Sequence, residues 1–95
     1  MAEQEVPEEL AQLVEKMHSE YLDSELAIAS ALAEAEGPLE VEELVEATGY
    51  TKRTVKKRVD SLEDRLQGPP LLRRTDDGQI ALHPRLAAAY AASES

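Results

Sequence analysis

The hydrophobic pattern changes abruptly at Gly68-Pro69-Pro70, and this change limits the possible folds more than any other feature. Before it, apolar residues recur at spacings of three and four, which is typical of amphipathic helices. After it come two short β-like runs, 71–75 and 79–82, joined by Asp76-Asp77-Gly78, a strong hairpin signal. A chain of 95 residues forms one small domain. We therefore predict a mainly α, α+β fold in which several helices precede one hairpin.

The first 35 residues predict either two helices or one bent helix. Asp23 and Ser24 are weak helix formers and good N-caps, so they favour a break between a helix that begins at Pro7 and a second one. Gly37-Pro38 ends the second helix. A single bent helix over 7–35 is the alternative, because several apolar residues stay near a common face. The first helix carries an apolar stripe of Leu10, Leu13, Val14, Met17 and Tyr21.

Two further helices are predicted on either side of a tight turn at Gly49. The helix before the turn spans about ten residues, and the one after it runs from Thr51 to about Gln67, with a stripe of Val55, Val59, Leu62 and Leu66. His83-Pro84 begins a short C-terminal helix. Two helices joined by a turn and followed by a hairpin predict a winged helix-turn-helix. We assign it to residues 23–83, after an N-terminal helix within 1–22 and before a C-terminal helix and disordered tail at 84–95.

Charge is distributed unevenly along the chain. The formal net charge is −10, and residues 1–50 hold fourteen acids and a single Lys or Arg, whereas residues 51–95 hold six acids and nine Lys or Arg. Six of the ten cations lie within 49–66, mostly where the fourth predicted helix begins. A helix N-terminus disfavours cations, so helix stability does not explain the cluster. A partner with phosphates explains it, because a recognition helix enters the DNA major groove by its N-terminal residues.

The helical wheel predicts a role for each polar residue of this cluster. Arg53 and Lys57 lie opposite the apolar stripe and could read guanine edges, and Thr54 could meet a thymine methyl group. Lys52, Lys56 and Arg58 are expected at phosphates. Arg73 and Arg74 alternate along a strand, so at most one of them can easily lie along DNA.

Two segments, GYTKRTVKKRVDSL and RRTDDGQIAL, resemble the recognition helix and wing of winged helix-turn-helix transcriptional regulators of bacteria and archaea. The resemblance covers roughly residues 24–83. It implies sequence-specific binding of double-stranded DNA and transcription regulation, and it carries DNA contact over to Thr51, Lys52, Arg53, Thr54, Lys56, Lys57, Arg73 and Arg74. Gly68-Pro69-Pro70 departs from the usual short entry to the wing. Few Lys, many Glu and an Ala-rich background also resemble proteins of salt-loving archaea.

Two further expectations concern partners. Winged regulators usually act as dimers on paired half-sites. The two terminal helices have no obvious place in a minimal winged-helix core, so we expect a homodimer interface formed by Leu10, Leu13, Val14, Met17, Tyr21, Leu86 and Tyr90. The segments GPLEVEELVEATG and LLRRTDDGQIALHPRLAAAY also resemble the kleisin-binding winged helices of chromosome-condensing complexes, which usually lack a basic recognition helix. The alternative function is therefore a winged-helix protein-interaction module of a chromosome-segregation or transcription complex.

Other functional classes have little support in the sequence. There is no Cys, His18 and His83 are isolated, and no paired-carboxylate, nucleophile or phosphate-loop arrangement is evident. We expect no catalytic activity, metal, cofactor or small-molecule ligand. No apolar run reaches the ~18 residues of a membrane span and the N-terminus lacks signal-peptide features, so we expect a soluble cytoplasmic protein without a membrane partner.

Overall fold

The computed structural model describes residues 8–35, 37–66 and 71–93, which form five helices and one two-stranded sheet. This confirms the predicted mainly α, α+β class. The predicted helix entry at Pro7, Gln67 as the predicted end of the fourth helix, Gly68-Pro69-Pro70 and residues 94–95 of the predicted disordered tail lie outside the described residues. The tail was expected to begin at Ser93, which is wrong: Ser93 is the last residue of the C-terminal helix, and its hydroxyl donates to the Tyr90 carbonyl over 2.7 Å. In chain order the elements are α1 (Glu8–Glu20), α2 (Asp23–Glu34), α3 (Val41–Thr48), α4 (Lys52–Arg65), β1 (Leu72–Arg74), β2 (Ile80–Leu82) and α5 (Pro84–Ser93).

The break between α1 and α2 confirms two helices, and the alternative of one bent helix is wrong. The N-cap of α2 is Leu22, one residue before the predicted Asp23, and it has an extended backbone with φ −70° and ψ 151°. Its N–H donates to the carboxylate of Glu25 over 2.9 Å. Glu25 therefore satisfies an N–H group at the helix start from three residues inside the helix, as in half of a capping box.

The turn between α3 and α4 follows from its local sequence. Gly49 ends α3 in the left-handed conformation, with φ +81°, which glycine adopts without steric strain. Its N–H donates to the Val45 carbonyl over 2.8 Å. Two residues later Thr51 caps α4, because its Oγ1 accepts a hydrogen bond from the Thr54 N–H over 3.2 Å.

The hairpin packs its inner face against the helices and is extended by one further residue. Leu72 pairs with Leu82 and Arg74 with Ile80, and Gly78 allows the turn with φ +87°. Leu39 pairs with the free edge of β2, and it exchanges two hydrogen bonds of 2.8 Å with Ile80. This bridge attaches the segment before α3 to the hairpin. The sequence did not predict it, because one paired residue produces no alternating pattern.

A single hydrophobic cluster joins all the elements, including the two terminal helices. The Tyr90 hydroxyl of α5 donates to the Leu26 carbonyl of α2 over 3.2 Å. The ring of Tyr90 also meets the ring of His18 from α1 edge-on at 5.1 Å. Helices α1 and α5 are therefore part of the same core as the central segment.

This packing corrects the interpretation of the predicted dimer residues. Five of the seven are buried within one chain: Val14, Met17, Tyr21, Leu86 and Tyr90. They are not spare apolar surface, because they belong to the common core in which α1 and α2 each pack on α5. Leu10 and Leu13 are partly buried and pack against the same cluster. Homodimer formation stays a prediction. None of the helices in the described ranges is long and apolar enough to cross a membrane.

Candidate nucleic-acid interface

Helix α4 separates its apolar and basic residues onto opposite sides. Val55, Val59 and Leu62 are buried in the core. At the other side of the first two turns, Arg53 and Lys57 are exposed, and Lys56 is exposed beside them. None of these three cations forms a salt bridge with the residues that the structure describes. Arg53, Lys56 and Lys57 therefore make up an open basic surface, which we call the basic face of α4.

Lys52, at the start of α4, is engaged with α3. Its Nζ lies 3.2 Å from a carboxylate oxygen of Glu42, and both side chains are more than half exposed. An exposed pair of this kind contributes little to stability and is easily exchanged for another partner. The pKa of Glu42 is lowered, first by a hydrogen bond from its own backbone N–H and then by Lys52, with a smaller effect from Lys56. Lys52 therefore borders the basic face but is shared with an acid.

Thr51 and Thr54 have their hydroxyl groups engaged with each other. The Thr51 hydroxyl donates to Oγ1 of Thr54 over 3.0 Å, in addition to accepting the Thr54 N–H. The structure thus places Thr51 as the cap of α4, beside the basic face. Contact of either threonine with DNA stays a prediction.

Arg58 does not lie on the basic face. It is half-buried, and its Nε is buried without a hydrogen-bond partner among the described residues. At ~100° per residue, Arg58 falls on the flank of α4 that also carries Ser61 and Arg65. The structure therefore places Arg58 beside the basic face and not on it, and its contact with a phosphate stays a prediction.

The two arginines of β1 have different surroundings. Nη2 of Arg74 lies 2.6 Å from Asp60 and 2.9 Å from Glu63, both on α4. Arg73 is exposed and has no salt bridge within the described parts of the chain. This agrees with the alternation of side chains along a strand. Arg73 remains open to a partner, whereas Arg74 is held by α4.

A buried polar network holds the second half of α4, and sequence reasoning missed it. Glu25 of α2 is fully buried, and its carboxylate accepts hydrogen bonds from the Ser61 hydroxyl and from Arg65 Nε, the latter over 3.0 Å. The Arg65 guanidinium also lies over the Tyr21 ring, 5.0 Å from its centre. The network ties α4 to the junction of α1 and α2. No sequence signal indicated this network, because Glu25 lies three residues after Leu22, whereas the predicted caps were Asp23 and Ser24.

The ionisation of Glu25 is set by this network. Burial alone would raise its pKa, but hydrogen bonds from Ser61, from the Leu22 N–H and from Arg65 outweigh that effect, so the pKa is lowered. Glu25 is therefore a carboxylate at neutral pH. Its charge is compensated inside the protein and does not add to the acidic surface.

The described residues also form a concave surface that lies away from the basic face. An open groove of about 630 Å³ lies between the end of α2, the hairpin and the start of α5. No group of His, Asp or Glu within the described ranges is arranged to hold a metal ion. No protein-family model matches the chain, and neither a curated protein nor a solved structure matches it significantly.

Proposed function

We propose that the protein is a winged-helix DNA-binding protein that recognises double-stranded DNA with α4 and the β1–β2 hairpin and acts as a transcriptional regulator. The observation that supports this most is the basic face of α4. It places three exposed cations without salt bridges in the first two turns of a helix whose opposite side is buried. In this proposal α4 is the recognition helix and the hairpin is the wing.

The division of charge along α4 fits insertion of its N-terminal end. A major groove about 12 Å wide admits a helix. Two turns of helix are about 11 Å long, roughly three base pairs at 3.4 Å each. The exposed Asp60 and Asp64 follow these two turns and would meet repulsion from phosphates. The base contacts of one chain would therefore cover about three base pairs, and a homodimer on paired half-sites would supply the rest.

The exposed residues suggest how the contacts are divided. Arg53 can donate two hydrogen bonds to a guanine edge, and Lys57 can reach a guanine or a phosphate. Lys56 and Lys52 are placed for phosphates, and Lys52 would exchange Glu42 for one of them. On the wing, Arg73 is the arginine that is open to DNA. Phosphate contacts would position the protein, and Arg53 would contribute most to sequence preference.

Binding-site selection from random double-stranded DNA, followed by titration of the selected site, tests the proposal. Arg53→Ala should weaken binding to the selected site by about 1–3 kcal/mol and relax preference at one base position. A matched control is Lys16→Ala with Arg85→Ala, which removes two exposed cations from α1 and α5. The control should leave affinity nearly unchanged. If Arg53→Ala and Lys57→Ala together change affinity for no DNA, the protein-interaction alternative is favoured instead.

A further inference from the structure

Arg74 lies at the end of the inner face of the hairpin, just outside the hydrophobic core. Leu72 and Arg74 lie on the same side of β1, because side chains alternate along a strand. Leu72 is fully buried, whereas Arg74, two residues nearer the turn, is partly exposed. Arg74 therefore lies on the inner face of the hairpin but outside the core, next to the exposed flank of α4.

The contact that Arg74 makes there is specific. One guanidinium nitrogen reaches carboxylates three residues apart on α4, at 2.6 Å from Asp60 and 2.9 Å from Glu63. Residues at this spacing are neighbours on one side of a helix. Arg73, the adjacent residue, makes no comparable contact among the described residues. The pairing thus distinguishes two arginines that look equivalent in the sequence.

The pairing also changes the charge that α4 would present to DNA. Asp60 and Glu63 lie just past the basic face, where the helix would leave the groove. With Arg74 in place, these two acids and one base have a net charge of −1. Without Arg74, the two carboxylates have a charge of −2 and would lie next to the DNA phosphates. If Arg74 turned toward a phosphate, it would leave both carboxylates unpaired in the same place, so the contact with α4 and a contact with DNA compete.

From this arrangement, and resting on the proposed DNA binding, we infer that Arg74 is a positioning residue: it holds the wing against the recognition helix and masks Asp60 and Glu63, and it does not bind DNA itself. The wing contact then belongs to Arg73 alone. The orientation of the wing would be set before DNA arrives, which reduces the ordering that binding requires.

A double-mutant cycle on DNA affinity separates masking from direct contact. Arg74→Ala is measured in the native chain and in the D60N/E63Q background, which has no carboxylates to mask. Masking predicts that Arg74→Ala weakens binding at least about threefold in the native chain and less than about twofold in the neutralised background. Arg73→Ala is the matched control, and its loss should be the same in both backgrounds. An equal loss for Arg74→Ala in both backgrounds would show direct DNA contact and overturn the inference.

A measurement without DNA keeps this test separate from the test of DNA binding itself. If the native protein binds no DNA, the proposed function fails, and the attachment of the hairpin is then judged by amide hydrogen exchange. Arg74→Ala and D60N/E63Q should each speed exchange of the Leu39–Ile80 and β1–β2 amides, and the triple variant should exchange no faster than either. Purely additive effects, or no effect of Arg74→Ala on exchange, would show that Arg74 does not hold the hairpin.

Discussion

We expect Glu25→Ala to destabilise the protein strongly, because one buried carboxylate accepts hydrogen bonds from three residues, one at the start of α2 and two on α4. It accepts hydrogen bonds from the Leu22 N–H, the Ser61 hydroxyl and the Arg65 guanidinium. Alanine would leave the Leu22 N–H and the hydroxyl without this partner. The charge of Arg65 would lose its counter-ion while remaining beside the Tyr21 ring.

The size of the effect can be worked out from these contacts. The cap at Leu22 is worth about 0.5–2 kcal/mol. A hydrogen bond to a charged group contributes about 1.5–3 kcal/mol, but the Arg65 side chain is 39% exposed, so the lower end applies to it. Because neighbouring contacts do not add fully, we expect a loss of about 2–4 kcal/mol in the free energy of unfolding. For a domain of this size, that lowers the melting temperature by roughly 10–25 °C.

Urea unfolding followed by circular dichroism measures this loss directly, provided the slope with denaturant is unchanged. The matched control is Glu34→Ala, which removes an exposed glutamate at the other end of the same helix. The control should stay within about 0.5 kcal/mol of the native chain. If Glu25→Ala were as stable as Glu34→Ala, the network would contribute nothing and the reasoning would be refuted.

The same residue predicts a pH dependence of stability. The pKa of Glu25 is lower in the folded protein than its usual value near 4.5. Its contribution to stability is therefore complete above that value and is lost as the pH falls through the folded-state pKa. Glu25→Gln has no such titration, so its stability should fall less between about pH 5 and pH 3 than that of the native chain. Parallel acid profiles for the two proteins would contradict this.

Three further predictions concern the terminal helix, the turn and the interface. A chain without residues 1–22 should not fold cooperatively, because it loses the buried side chains of Val14, Met17 and Tyr21. Each of them contributes about 1.5–3 kcal/mol by burial, whereas the total stability of a domain is about 5–15 kcal/mol. A cooperative thermal transition of the shortened chain would contradict this. Gly49→Ala should lower the free energy of unfolding in urea by about 1 kcal/mol, because alanine is strained at a φ of +81°. A clash is not the cause, because the added Cβ would have no atom within 4 Å. An unchanged unfolding midpoint would refute this backbone strain. DNA affinity should show a log–log salt slope no steeper than about −4.5 per chain, because five cations are assigned to DNA and the acidic half opposes binding at low salt. The five are Lys52, Arg53, Lys56, Lys57 and Arg73. If the slope had the full value expected from the cations at every salt concentration, the acidic half of the chain would have no effect on DNA binding.

Local signals predicted the elements of this fold and the basic face. Helix α4 was predictable because its stripe repeats every three or four residues and because Thr51 and Gly49 act on backbone groups within four residues of themselves. The hairpin was predictable from Asp77-Gly78 for the same reason. Exposure of Arg53, Lys56 and Lys57 followed from the stripe, since a helix that buries one side must present the other. Such signals depend only on neighbours along the chain.

The pairing of distant residues depended on the tertiary structure. An apolar stripe shows that a helix is covered but not by what, so Met17 and Tyr90 suggested a second chain although their own chain buries them. Glu25 binds Arg65, which is 40 residues away in the sequence, and Arg74 binds Asp60, which is 14 residues away. No local sequence pattern predicts either pair. Arg73 and Arg74 differ in surroundings because the strand turns one toward α4. The sequence by itself determined which segments are helix and strand, and the packing of those segments decided which charges are paired and which stay open, because pairing is set by distances that only the folded chain has.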